Sequence, residues 1–223
     1  MRILLLGCTG FIGKYLIQRL ISEGHELCLI SRKNINQLKI NSSFEKIAFL
    51  KLNLAKEESW NDFNLLNKLK NCEGIINLSG EPITEKRWSK EQKLEIENSR
   101  INTTSYLMKY LKKNKINPKV IINASAIGFY GTSLDQIFDE TSSGGEDFLA
   151  NLCKKWEEAA NQKPFFTRLV ILRIGIVLGV KGGALGKMLP IFKLGLGGPI
   201  GDGNQWMSWI HIDDLCNIIV NGI

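Results

Sequence analysis

The chain has 223 residues, of which 44% are hydrophobic and 23% charged, and this composition is typical of a globular protein with a sizeable core. The formal net charge is +7, but the lysines are scattered and the densest group, Lys109 to Lys115, ends a predicted helix, so a nucleic-acid partner is not expected. Five widely spaced cysteines without a C-x-x-C pair argue against a metal site or a disulfide framework, and no apolar run reaches the roughly 18 residues of a membrane span.

Short apolar runs alternate with helical patterns along most of the chain. The predicted strands cover residues 2–6, 26–30, 46–52, 74–78, 119–124 and 169–173. The predicted helices cover residues 14–23, 58–69, 89–113 and 147–161, and a further helix begins near Asp213. Ser89 is the expected N-cap of the helix over 89–113, with Gln92 three residues further on as its capping-box partner. This alternation predicts an α/β Rossmann fold, a doubly wound parallel sheet with helices on both faces, in which ligands bind at the carboxyl ends of the strands.

Three spaced glycines follow the first strand and open the first helix, in the pattern G-x-x-G-x-x-G. Such glycines allow a tight turn, a close approach of backbone to phosphate, and packing of helix against strand. The helix N-terminus then offers free N–H groups to an anion. We therefore expect this segment to bind a dinucleotide, through Gly7, Thr9, Gly10, Phe11, Ile12 and Gly13.

The end of the second strand indicates which dinucleotide binds. Sites that prefer NAD carry Asp or Glu about 20 residues past the glycines, where the carboxylate binds the ribose 2′-hydroxyl. Here the chain has Ser31-Arg32-Lys33, a hydroxyl followed by two cations. Because arginine makes paired, charge-assisted hydrogen bonds to phosphate, Ser31 and Arg32 predict NADP(H) as the cofactor.

The pattern changes from about Gly175, where frequent glycines break the chain into loops and short elements. We expect residues 1–174 to form an NADP-binding Rossmann domain. Residues 175–223 are expected to form part of a small substrate-side lobe, apparently truncated because the chain stops within a predicted helix. Gln205, Trp206 and Trp209 could line a pocket in this lobe, although tryptophans more often serve packing.

Several further motifs together resemble one known family. Besides the glycine turn and Ser31-Arg32, they are NLSGEPI at 77–83, RW at 87–88, SRINTT at 99–104, SAIGFYG at 125–131, DFLA at 147–150, WE at 156–157, RIGIVLG at 173–179 and WIHIDD at 209–214. They match an atypical branch of the extended short-chain dehydrogenase/reductases, the NAD-dependent epimerase/dehydratase or sugar-nucleotide-epimerase-like proteins, some of which are described as cell-division inhibitors. The resemblance spans essentially the whole chain.

The resemblance adds cofactor contacts beyond the glycine turn. Small residues after the fourth strand suit a close approach to a ribose or nicotinamide, although an ordinary strand-end turn has the same composition. Arg100 falls in the helix that similar proteins place along the cofactor cleft, where it could bind phosphate or ribose or remain a solvated cation. The added candidates are Asn77, Leu78, Ser79, Gly80, Arg100 and Ala124.

The catalytic residues expected from the resemblance are incomplete. Similar enzymes use a serine together with a Tyr-x-x-x-Lys pair, in which the lysine lowers the tyrosine pKa so that it works as a general acid or base. Ser125 lies where the family serine belongs, and Tyr130 follows it. The pair should fall near Phe148 and Leu152, which have neither a hydroxyl nor an ammonium group.

Three hypotheses follow from the missing pair. The first is an oxidoreductase or epimerase acting on a small carbonyl or nucleotide-sugar substrate, with acid and base groups drawn from Tyr130, Lys154, Glu81 and Glu140. The second is a redox sensor that binds NADP(H) without turnover, and the third is an interaction protein that keeps the fold as a scaffold. We expect a cytoplasmic protein with a small-molecule substrate, no membrane partner, and a homodimer as one option through the helix over 89–113.

Overall fold

The computed structural model describes residues 1–35, 47–180, 182–199 and 201–223. Lys46 of the predicted third strand, and Lys181 and Ile200 of the predicted lobe, lie outside the described residues. The strands are β1 Arg2–Leu6, β2 Glu26–Ser31, β3 Ile47–Lys51, β4 Gly74–Asn77, β5 Val120–Ala126, β6 Arg168–Ile174, β7 Ile176–Gly179 and β8 Trp209–His211. The helices are α1 Phe11–Ser22, α2 Phe63–Lys70, α3 Lys90–Lys113, α4 Phe148–Asn161, α5 Gly183–Lys193 and α6 Ile212–Asn221.

Within the described residues the main sheet has six strands in the order β3-β2-β1-β4-β5-β6, and every neighbouring pair is parallel. This confirms the doubly wound Rossmann fold. The strand order reverses between β1 and β4, and in such sheets ligands bind in the crevice at the carboxyl edge beside that point. The strands β7 and β8 form a separate parallel pair.

The sheet has one hydrophobic cluster on each face, as the alternation of side chains along β1 requires. Ile3 and Leu5 pack in a cluster with α1 and α6, whereas Leu4 and Leu6 pack in a cluster with α2 and α3. All four side chains are buried, which explains why β1 is a continuous apolar run. Because α6 contributes to the same core as α1, the last segment of the chain packs onto the main sheet.

Side-chain hydrogen bonds to backbone N–H groups fix where two of the helices begin. Ser89 caps α3 by accepting a hydrogen bond from the Gln92 N–H at 3.2 Å, as the sequence predicts. The prediction of one helix over residues 58–69 is wrong, because Asp62 accepts hydrogen bonds from the N–H groups of Asn64 and Leu65 and so starts α2 anew. A short 3-10 turn, Glu57–Asn61, precedes it.

Candidate functional site

A cavity of about 880 Å³ opens at the carboxyl ends of β1, β2 and β4, beside the reversal of strand order. The segment after β3 and the start of α5 complete its wall. Nine of the residues that the sequence nominates for cofactor binding line the described part of this cavity: Gly7, Thr9, Gly10, Phe11, Ser31, Arg32, Leu78, Ser79 and Gly80. The topology therefore brings the glycine turn, the end of β2 and the end of β4 to one place.

Two of the three glycines are required by the packing of the protein itself. Gly7 has a φ of +78°, and a Cβ there would lie 2.5 Å from the carbonyl carbon of Leu78. A Cβ on Gly13 would lie 2.7 Å from the Cα of Cys8. Both positions accept only glycine, because the turn, β4 and the first turn of α1 approach one another at backbone distance.

Gly10 differs from both, since a Cβ there would meet no protein atom closer than 3.4 Å. Its φ of −72° and ψ of 174° are open to any residue. Gly10 is the N-cap of α1, makes no side-chain capping hydrogen bond, and lines the cavity. Neither the fold nor the backbone needs glycine at this position, and the space that a Cβ would take is open to the cavity at the helix N-terminus.

The end of β2 presents Ser31 and Arg32 to the same cavity. The Oγ atoms of Thr9 and Ser31 lie 3.4 Å apart, and Ser31 Oγ accepts a hydrogen bond from the Lys33 N–H at 3.0 Å. The Arg32 guanidinium donates to Glu81 Oε2 at 2.8 Å and to Glu95 Oε1 at 3.3 Å. Arg32 is thus a half-exposed cation held at the cavity wall by two carboxylates.

The turn after β4 is attached to α3 by its backbone. The Glu81 N–H donates to Ser99 Oγ at 2.8 Å, and the Glu81 carbonyl accepts from Arg100 Nη1 at 3.0 Å. The Arg100 guanidinium lies against Gly80, where a Cβ would come within 2.8 Å of its central carbon. Arg100 therefore supports the turn from behind, and burial lowers the pKa of its guanidinium.

Asn77 lies beneath this turn and is fully buried. Its side-chain amide donates to Thr104 Oγ1 at 2.9 Å and to Asn123 Oδ1 at 2.7 Å, while its side-chain oxygen accepts from the Ser79 N–H at 3.2 Å. Trp156 Nε1 also donates to Thr104 Oγ1, at 3.0 Å. Asn77 thus links β4, β5, α3 and α4 and fixes the turn that faces the cavity, without belonging to the cavity lining.

Ser125 and Tyr130 are joined through a charged pair that the sequence did not nominate as functional. Ser125 Oγ donates to Glu157 Oε1 at 2.6 Å, and Arg173 donates to both oxygens of the same carboxylate, at 3.0 and 2.9 Å. Arg173 Nη1 also donates to Tyr130 Oη at 2.9 Å. Hydrogen bonding to Glu157 raises the pKa of Arg173. The motifs at 156–157 and 173–179 contained both residues, but only the structure shows that they meet.

The segment after β7 is held to the glycine turn by the ring of Phe11. A Cβ on Gly179, Gly182 or Gly183 would lie within 2.8 Å of this ring. The contact places the start of α5 on the cavity wall, and Lys187 of α5 donates to Thr84 Oγ1 at 2.9 Å. Sequence reasoning missed Lys187, because nothing in the glycine-rich segment predicts which turn lies against the cavity.

Other candidates lie outside the lining of the main cavity as the structure describes it. Ile12 and Gly13 lie in the first turn of α1, and Ala124 is buried in β5. His211, which the sequence does not nominate for the site, accepts a hydrogen bond from the Asp213 N–H at 3.4 Å as the N-cap of α6. Within the described ranges, no group of three or more His, Cys, Asp or Glu side chains is arranged to hold a metal ion. No helix there is long and apolar enough to cross a membrane.

Comparison with known proteins decides the family. The model of the NAD dependent epimerase/dehydratase family matches residues 3–221. This chain belongs to that family. It is 39% identical over 225 residues to the chloroplastic SDR39U1 homolog of Arabidopsis thaliana, 39% identical over 226 residues to SDR39U1 of Homo sapiens, and 37% identical over 221 residues to YfhF of Bacillus subtilis. The matches cover 98% to 100% of this chain but 62%, 70% and 69% of those proteins, respectively.

Two solved structures are similar to this chain in three dimensions. A crystal structure of human SDR39U1 with NADPH matches with a TM-score of 0.80 and 38% identity, over 99% of this chain and 69% of that one. A nucleoside-diphosphate sugar epimerase from Corynebacterium glutamicum matches with a TM-score of 0.78 and 29% identity, over 100% of this chain and 43% of that one.

The positions of the expected Tyr-x-x-x-Lys pair are occupied by apolar packing in this epimerase-family chain. Phe148 begins α4, and its ring packs edge-on against Trp88 at 5.6 Å. The ammonium group of Lys93 lies 5.1 Å from the centre of the Phe148 ring. Leu152, one turn further along α4, is buried.

The four suggested replacements for that pair do not form one cluster. Tyr130 and the backbone carbonyl of Glu140 both accept hydrogen bonds from Arg173. Glu81 contacts Arg32. The aliphatic chain of Lys154 lies against Gly144, where a Cβ would overlap with its Cε atom. Ser125 and Tyr130 are thus brought together with Arg173, whereas Glu81 belongs to the main cavity.

Proposed function

We propose that the chain binds NADP(H) in the main cavity, with the pyrophosphate at the N-terminus of α1 and the 2′-phosphate at Ser31 and Arg32. The observation that carries this proposal is the placement of Gly10 and Arg32 on the wall of one cavity. The first offers an open helix N-terminus and the second offers a cation. The human relative that was crystallised with NADPH supports the same assignment.

Each group on the wall has a definable task in this proposal. The turn at Gly7 and Gly10 brings backbone N–H groups to the phosphates, and Arg32 neutralises the 2′-phosphate. The turn at 78–80 lets backbone approach the ribose, while Asn77 and Arg100 hold it in position from behind. When bound, NADPH would supply the hydride for reduction of a carbonyl carbon.

We further propose that residues 1–174 carry the cofactor and that residues 175–223 contribute the substrate side. The start of α5 adds Gly183 and Lys187 to the wall of the cofactor cavity, and α6 packs with α1 on the main sheet, so the substrate side is assigned to the part of this segment before α6. The substrate proposed is a small carbonyl compound or a nucleotide sugar, with Ser125 and Tyr130 nearest to the chemistry. A cytoplasmic location and a homodimer remain predictions; the buried free thiols suit a reducing compartment.

A second function, NADP(H) binding without turnover, is favoured by one observation. The Ser125 hydroxyl donates its hydrogen to Glu157 and so has none left to donate to a substrate, while the Tyr130 hydroxyl accepts from Arg173 and keeps its own hydrogen. Together with Phe148 and Leu152 at the positions of the usual acid and base, this arrangement suits a sensor of the cofactor's redox state. Transfer of label from deuterated NADPH to candidate carbonyl compounds and nucleotide sugars supports an enzyme, whereas firm binding without transfer supports the sensor.

The binding proposal is tested by fluorescence titration of the purified protein with NADPH and NADH. We expect NADPH to bind more tightly, and Arg32→Ala to weaken NADPH binding by roughly 1.5–3 kcal/mol, about tenfold to hundredfold, with little effect on NADH. Arg19→Ala, which removes an exposed cation paired with Glu23 on α1, is the control and should change neither affinity. Equal affinity for both cofactors in the wild type would overturn the assignment.

A further inference from the structure

The carboxylate that is missing from the end of β2 is supplied at the same place by another part of the chain. Glu81 follows β4, 49 residues from Arg32 in sequence, and its Oε2 lies 2.8 Å from Arg32 Nη2. Both residues line the main cavity, and both also line a smaller recess beside it. A ligand phosphate that approaches Arg32 in the main cavity therefore also approaches the carboxylate of Glu81.

Glu81 is a rigid and charged partner. Its side chain is only 11% exposed, and its backbone is fixed at both polar atoms, by Ser99 and by Arg100. The hydrogen bond from Arg32 lowers the pKa of the Glu81 carboxyl group, with a smaller contribution from Lys86, whose ammonium group lies 3.6 Å from Oε1. The carboxylate is therefore ionised at neutral pH and cannot readily move away from an incoming anion.

A fixed carboxylate next to Arg32 acts differently on the two nicotinamide cofactors. A 2′-phosphate carries about two negative charges near neutral pH, is repelled by the carboxylate, and competes with it for the same guanidinium. A 2′-hydroxyl can instead donate a hydrogen bond to a carboxylate, as it does to the acidic residue of NAD-preferring sites. The Glu81 carboxylate thus weakens the binding of NADP(H) and favours the binding of NAD(H).

We propose that Glu81 is a specificity-determining residue that limits the preference of this site for NADP(H) over NAD(H). This inference rests on the proposed function, since it requires the 2′-phosphate to bind at Arg32. Arg32 sets the direction of the preference, and Glu81 reduces its size. The site with this pair therefore still prefers NADP(H), but less strongly than Ser31-Arg32-Lys33 alone indicates.

Glu95 provides a matched comparison within the same cluster. It contacts the same guanidinium, at 3.3 Å from Arg32 Nη1, and it carries the same charge. The Glu95 side chain is half-exposed. It lines the smaller recess, but it is not among the described residues that line the main cavity. An effect that arises merely from loosening Arg32, or from removing one negative charge near it, would appear in Glu95→Gln as well as in Glu81→Gln.

The test is a fluorescence titration of wild type, Glu81→Gln and Glu95→Gln with NADPH and with NADH, without any substrate. We expect Glu81→Gln to tighten NADPH binding by at least about fivefold, and to leave NADH binding unchanged or weaker. Glu95→Gln should stay close to wild type. The gain should shrink as salt is raised from 0.02 to about 0.5 M, because salt screens the removed repulsion. Unchanged or weaker NADPH binding by Glu81→Gln, or an equal gain in Glu95→Gln, would overturn the inference.

Two further measurements keep the outcome interpretable. Glu81→Asp retains the charge and should keep the wild-type ratio of affinities; a shift equal to that of Glu81→Gln would show that charge is not the cause. Thermal melting of each variant confirms that it is folded before titration. If Arg32→Ala leaves NADPH binding intact, the proposed function fails; if Arg32→Ala weakens it while Glu81→Gln has no effect, only the role of Glu81 fails.

Discussion

Arg173 on β6 donates one hydrogen bond to each carboxylate oxygen of Glu157 on α4, at 3.0 and 2.9 Å. The two side chains are 20% and 10% exposed, so the pair is largely shielded from water. Ser125 donates to the same carboxylate, and the Arg173 guanidinium lies 3.5 Å from the centre of the Phe129 ring. This pair holds α4 to the carboxyl ends of β5 and β6, next to Tyr130.

Removing Arg173 should destabilise the protein strongly, because it leaves the Glu157 carboxylate buried without its cation. For Arg173→Met we expect a loss of about 3 kcal/mol in the free energy of unfolding, the low end for a broken buried pair since Arg173 keeps some exposure. Urea denaturation followed by circular dichroism measures it.

The exposed pair between Lys155 and Glu97 is the control for this experiment. Its nitrogen and oxygen lie 2.7 Å apart, but Lys155 is 58% exposed. Lys155→Met should therefore cost no more than about 1 kcal/mol. Similar losses for the two variants would contradict a special role of the Arg173–Glu157 pair.

Alanine at two glycines of the same turn should have opposite effects on folding and binding. In Gly13→Ala the new Cβ would come 2.7 Å from the Cα of Cys8, so we expect a lower melting temperature. In Gly10→Ala the new Cβ has room, so the melting temperature should hold while NADPH binding weakens by at least about tenfold.

Thermal melting and NADPH titration of the two variants separate these effects. A Gly10→Ala variant that binds NADPH like the wild type would show that the space in front of Gly10 is not used by the cofactor. A Gly13→Ala variant of wild-type stability would show that α1 can move away from the turn.

The cysteines should not react while the protein is folded. All five are buried, and burial raises the pKa of Cys8 and Cys72 to about 12 and that of Cys28 and Cys216 to about 11, and also raises the pKa of Cys153. Since the thiolate is the reacting form, we expect iodoacetamide at pH 8 to leave the native protein unmodified and to alkylate every cysteine in urea. Intact-mass spectrometry gives the number of adducts, and fast labelling of a native thiol would indicate local opening of its segment.

Acid should remove the stability that Glu81 contributes. Its carboxyl pKa lies below the ordinary value of 4.5 because Arg32 hydrogen-bonds the ionised form, so folding favours that form. The contribution is therefore complete above the pKa of the unfolded chain and is lost as the pH falls through the pKa of the folded state. We expect wild type to lose stability relative to Glu81→Gln between about pH 5 and pH 3 in urea denaturation series. A constant difference across this range would contradict the lowered pKa.

Local patterns were sufficient to predict much of the fold. The apolar strands, the three glycines and the Ser89 cap each depend on residues within a few positions of one another, and the structure contains all of them where the sequence predicts. The wrong prediction of one helix over 58–69 also has a local cause, since the hydrogen bonds that the Asp62 side chain accepts start a new helix within this stretch. The pair of short strands after Gly175 could not be predicted, because Ile176 and its partner Trp209 are far apart in sequence.

The candidate site likewise has some features that the sequence alone predicts and others that only the structure shows. The sequence by itself determined the glycine turn and the cation at Arg32, because a glycine needed for a turn and a charged side chain after a strand have the same chemistry whatever tertiary structure surrounds them. Only the tertiary structure decided which charged side chains pair with one another. Glu81 reaches Arg32 and Glu157 reaches Arg173 through neighbouring elements of the sheet and its helices. Such ion pairs depend on strand order and register, which no local pattern specifies.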